Sequence, residues 1–162
     1  MKPEFKILSA TAILGYGFPI ASFEAGIAKG PNLIAADAGS TDPGPYYLGS
    51  GISFTDRQAV KRDLRIMIKA GVERKISVVV GTAGGSGAEP HLAWCFEIIR
   101  EIAREEALNF RIAVIHAEFE KSFVADALKE GKIRSLDRAP ELTEERILNS
   151  EHIVGQMGVE PY

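Results

Sequence analysis

A single cysteine, Cys95, in 162 residues excludes an intrachain disulfide and any zinc site built from several cysteines of one chain. Excess positive charge is missing too. Nineteen Lys and Arg against 22 Asp and Glu give a formal net charge of −3, which offers no basic footprint, so nucleic acid is not expected as a partner. No apolar run reaches the roughly 18 residues of a spanning helix. The longest, Ile7 to Ala21, is broken by Gly15, Gly17 and Pro19. Lys2 and Lys6 before it imitate a signal peptide only weakly, and the run reads better as a first strand and loop entering a capped helix. No internal repeat, low-complexity tract or linker is visible. These absences lead to the expectation of a soluble, cytoplasmic protein in a reducing compartment, without a membrane partner.

What is present is a globular composition. With 46% apolar and 25% charged residues, the chain has enough apolar side chain for one domain with a real core, spanning 1–162. Apolar runs alternate with amphipathic ones. Strands are predicted within Phe5 to Ile13, at Asn32 to Ala38, at Ile76 to Gly81 and at Arg111 to Ala117, with a polar edge strand at Lys132 to Leu136. The middle three are almost continuously apolar, as parallel strands covered on both faces are.

Helices fall between them. Ser22 is placed to cap Phe23 to Lys29, and Thr55 with Gln58 to form a capping box for a helix with the stripe Val60, Leu64, Met67, Ile68. A third helix follows Pro90 and buries Leu92, Cys95, Phe96, Ile99 and Ile102. A fourth spans about Ser122 to Glu130, and Thr143 caps a last one. The pattern predicts an α/β three-layer sandwich, Rossmann-like, with a parallel sheet of at least four strands.

In such sheets ligands bind beyond the carboxyl ends of the strands, and the unusual segments gather there: LGYGFP, DAGSTDPGP, GTAGGSGAEPH and HAEFE. The turn Gly81–Gly87 joins a buried strand to a helix. Its Gly81, Gly84, Gly85 and Gly87, with Ser86, form a backbone cradle for an anion, and Gly39 and Ser40 join them as candidate ligand contacts. The plainer reading is a turn that needs positive φ. No Gly-Lys-Ser/Thr follows, so this is not a Walker A loop. Gly84-Gly-Ser-Gly-Ala88 nearly matches a nucleophile elbow, although a loop serine is the commoner explanation. Gly15-Tyr-Gly17 with Asp37 about 20 residues on is half of a dinucleotide fingerprint, but Ile20 stands where the third glycine belongs, so a nicotinamide cofactor is not expected.

His116 is the leading candidate for acid–base work, because it stands in an apolar strand two residues from Glu118 and on the same face. Asp37, Asp42 and His91 complete the candidate catalytic set, with Glu89 beside His91. Asp37 and Asp42 also read as loop-capping and turn residues. A metal held by His116, Glu118 and Asp37 is an open alternative with weak support.

LGYGFP, DAGSTDPGPYYLGSG, GTAGGSGAEPHLAW and AVIHAE resemble the amino-terminal region of acyclic terpene utilisation family proteins, over nearly the whole chain. The resemblance implies breakdown of acyclic terpenoids such as citronellol and geraniol through coenzyme A thioesters. It implies no residue roles. Members of that family run longer, so this chain is expected to be the amino-terminal part of a longer architecture, or a split form whose missing carboxy-terminal part a partner chain supplies; a homo-oligomer is the other expected assembly. Two functions follow as expectations. One is lyase-, hydratase- or isomerase-like chemistry on a small acid or acyl thioester. The other is a non-catalytic anion-binding or subunit module that completes a partner's site.

Overall fold

A computed structural model describes residues 4–39 and 45–155. Three short parallel strands form its sheet: β1 (Ile7–Ser9), β2 (Leu33–Asp37) and β3 (Ser77–Gly81), in the order β1-β2-β3. Ile7 pairs with Leu33, Leu33 with Ser77, and Asp37 with Gly81, so the carboxyl ends of β2 and β3 are level. The helices are α1 (Ile20–Ile27), α2 (Pro45–Ser50), α3 (Arg57–Arg74), α4 (Glu89–Glu105), α5 (Lys121–Lys129) and α6 (Glu144–Asn149). No helix among the described residues is long and apolar enough to cross a membrane.

The expected sheet of at least four strands is not formed. Among the described residues the apolar run Arg111 to Ala117 has no ladder partner, apart from the neighbouring single antiparallel bridge of Glu118 to Val154, and Ile112 and Val114 are exposed. Composition sets a strand's appetite for burial, but a strand exists only where a second strand accepts its hydrogen bonds. Lys132 to Leu136 is irregular as well.

The three-layer arrangement also fails, for a topological reason. Both crossovers step along the sheet in one direction, so crossovers of one hand deliver their helices to one face. Gly26 of α1 lies against Leu8, and Gly71 of α3 against Val78. Leu8, Ile34 and Val78 are register neighbours pointing to that face, where Leu64, Met67, Ile98 and Ile102 close the core. Full burial of such side chains stabilises by about 1.5–3 kcal/mol each. The opposite face, with Ile7, Leu33, Ala35 and Val79, stays outside the buried cluster, and Ile7 is 61% exposed.

Asp56, not Thr55, caps α3 by accepting the Ala59 N–H at 2.9 Å, and Thr143 caps α6 through the Arg146 N–H at 3.3 Å. The start of α1 follows Pro19, whose carbonyl accepts the Ser22 N–H, so Ser22 lies inside the helix. The charged face of α4 is an ion ladder to α3: Arg57 and Lys61 grip Glu101, Lys61 and Arg65 grip Glu105, and Arg65 and Lys69 grip Glu106.

Candidate functional site

Beyond β3 the chain turns sharply. Thr82 sits at φ 50°, and a single 3₁₀ turn over Ala83–Gly85 leads to α4. Gly84, at φ 78°, lies with its α-carbon against the His91 backbone, where no Cβ fits. Gly39 is pressed in the same way against the Thr82 side chain and the Gly85 carbonyl, which joins the loop after β2 to the turn after β3. One amide of the proposed cradle is committed inside the protein: the Gly85 N–H bonds the Thr82 carbonyl at 2.9 Å. The Gly84 amide lies near the Cys95 thiol. Burial pushes that thiol up to about 11, and the Gly84 contact only partly offsets it.

Ser86 and His91 meet in this turn. Ser86 Oγ hydrogen-bonds His91 Nδ1 and accepts the Ala88 N–H at 3.2 Å. His91 is 1% exposed, and its Nε2 has no hydrogen-bond partner among the described residues. An orphaned buried polar atom costs about 1–3 kcal/mol.

On the outer side of the α4 start, His116 Nδ1 bonds Glu89 Oε1 at 2.6 Å. Glu118 accepts the Glu89 N–H at 2.8 Å on one oxygen, and pairs with His152 Nδ1 at 2.6 Å on the other. Burial raises the Glu118 pKa, but the Glu89 N–H and His152 outweigh it and hold the carboxyl below its ordinary value. The 150–155 segment is fixed there by the Phe119 N–H to the Ile153 carbonyl and the Gly155 N–H to the Ala117 carbonyl. A cleft of about 420 Å³ opens beside these groups. Its lining includes Glu89, Glu118, Glu120, Glu151, Lys121 and Phe119, so its field is acidic and suits a neutral or cationic group better than an anion.

The structure therefore brings Glu89, His116 and Glu118 together and adds His152 and Glu151, which no spacing or motif had marked. His91 lies inward with Ser86. Asp37 bonds its own loop, accepting the Gly39 N–H at 2.9 Å. Ser40 and Asp42 lie outside the described residues. No group of three or more His, Cys, Asp or Glu is placed to hold a metal among the described residues.

Asp63 was missed as well. It is fully buried, and its Oδ2 accepts the N–H groups of Gly15 and Gly17 at 2.9 and 3.0 Å, while its Oδ1 binds Arg62. These are the glycine amides that the half-fingerprint after β1 would have offered to a dinucleotide. The signal was hidden because Asp63 lies 48 residues from Gly15, on a helix face that otherwise reads as polar.

Compared with protein-family models, curated proteins and solved structures, the chain matches none.

Proposed function

We propose that this chain carries acid–base chemistry of the lyase, hydratase or isomerase type on a small acid or acyl thioester. The observation that carries the reading is the exposed His116–Glu89 pair, of which Glu89 also lines the acidic cleft. With Nδ1–H donated to the carboxylate, Nε2 is left as the proton acceptor. In this reading His116 takes a proton from the carbon beside the substrate carbonyl and returns it elsewhere. Glu89 orients the ring, and Glu118 with His152 fixes Glu89. The negatively charged end of the ligand is assigned to the Gly81–Gly87 turn. Asp37, tied to Gly39, is left out of the proton path. The resemblance to acyclic terpene utilisation proteins supports coenzyme A thioesters of acyclic terpenoids as the substrate class.

The sheet face outside the buried cluster and the exposed Ile112 and Val114 favour a second reading, a subunit module that completes a partner's site.

Incubation with a short-chain acyl-coenzyme A in deuterated water separates them. The first reading expects deuterium at the carbon beside the carbonyl, at least about 100-fold slower in His116→Ala with binding kept. Equal exchange in the variant overturns His116 as the base. Binding with no exchange in the native protein supports the module.

A further inference from the structure

We infer that Ser86 is a nucleophile toward activated acyl groups and that His91 is its base. The inference goes beyond the acid–base reading and does not rest on it, because it uses neither His116 nor Glu118.

Ser86 stands where a buried strand turns into a helix, eight residues before which β3 is already under way and three residues after which α4 begins at Glu89. Its Oγ accepts the Ala88 N–H, and in the His91 tautomer that carries its hydrogen on Nε2 the hydroxyl proton is donated to His91 Nδ1. The base is held rigidly. His91 is buried in the first turn of α4, with its backbone packed on Gly84. A serine serving only to cap the turn needs the Ala88 N–H and no imidazole. The fold nevertheless buries a histidine here with Nε2 unpartnered among the described residues. Ser86 itself is half-buried, and Gly85 and Gly87 on either side carry no side chain to obstruct an approaching carbonyl. A nucleophile bonded to a positioned base in a strand–turn–helix is the geometry of acyl transfer.

The step balances without a further reactant. Ser86 Oγ bonds to the carbonyl carbon of an ester or thioester, and its proton passes to His91 Nδ1. The bond to the alcohol or thiol breaks, and the leaving group departs with that proton. Water then hydrolyses the Ser86 ester.

A fluorophosphonate probe tests this on the full chain, since attack by Oγ displaces fluoride and leaves a stable adduct. Intact mass and peptide mapping should find one adduct on native protein, at Ser86, and none in Ser86→Ala. Labelling should slow by at least about tenfold in His91→Gln, with folding checked by circular dichroism. In case that variant does not fold, the native protein is compared with the same chain in urea, where Ser86 should no longer react. No adduct at Ser86 in the native protein overturns the inference, as does equal labelling in urea or in a folded His91→Gln. Either of the last two results would leave Ser86 as a capping residue only.

Discussion

Glu118 accepts the backbone N–H of Glu89 at 2.8 Å, so the first turn of α4 already holds an anion, and that anion belongs to the protein. Replacing it tests the arrangement. Glu118→Gln should destabilise the fold by about 1–2 kcal/mol near neutral pH, because the charge at the helix start is lost and the single amide oxygen can accept only one of the bonds from the Glu89 N–H and His152. The folded-state pKa of Glu118 is lowered, so its contribution is complete above the unfolded value and is lost as the pH falls through the folded one. Urea titrations of both proteins should therefore converge in acid. A constant difference down to low pH would show that the charge is not what stabilises.

Asp63 governs the loop after β1. Asp63→Ala leaves the Gly15 and Gly17 N–H groups without their acceptor, and should cost about 2–5 kcal/mol in equilibrium unfolding. Asn in its place keeps one acceptor oxygen and should cost less. A loss below about 0.5 kcal/mol for the alanine variant would mean that the loop is held elsewhere.

The ladder between α3 and α4 should respond to acid and salt. Hydrogen bonds from Arg57 and Lys61 hold the Glu101 carboxyl down to about 2. Its stabilisation is complete above the ordinary glutamate range and fades as the pH falls toward that value. Glu101→Gln should lower the melting temperature slightly in low salt, and the difference from wild type should shrink in about 1 M salt. A salt-independent difference would point to packing instead.

Cys95 offers a simpler check. A thiol pushed up to about 11 and 1% exposed should react with a bulky disulfide reagent far more slowly in the native chain than in urea. Equal rates would place it outside the core.

Much of the fold was legible because its signals are local. The runs 32–38 and 76–81 became β2 and β3 within a residue or two, and Cys95 took its place in the core. The failures share a cause. Arg111 to Ala117 has the composition of a strand, but pairing depends on a distant partner that no window of sequence contains. Asp63 reads as one more helix charge until the loop from Gly15 folds over it. At the candidate site, spacing singles out His116 and Glu118 on the expectation of a strand that does not form, whereas their partners Glu89 and His152 come from the start of α4 and from a segment 34 residues beyond Glu118. Only the folded chain joins those.

The bare side of the sheet has a calorimetric meaning. Ile7 is exposed and Leu33, Ala35 and Val79 are only partly buried before the protein unfolds, and hydration of apolar surface on unfolding is the source of the heat-capacity increment. Per residue, this chain should fall below the usual figure of about 12–15 cal/mol/K. Its stability curve should accordingly be flatter with temperature, so that it loses less of its margin on cooling than a domain of equal length whose sheet is covered on both sides.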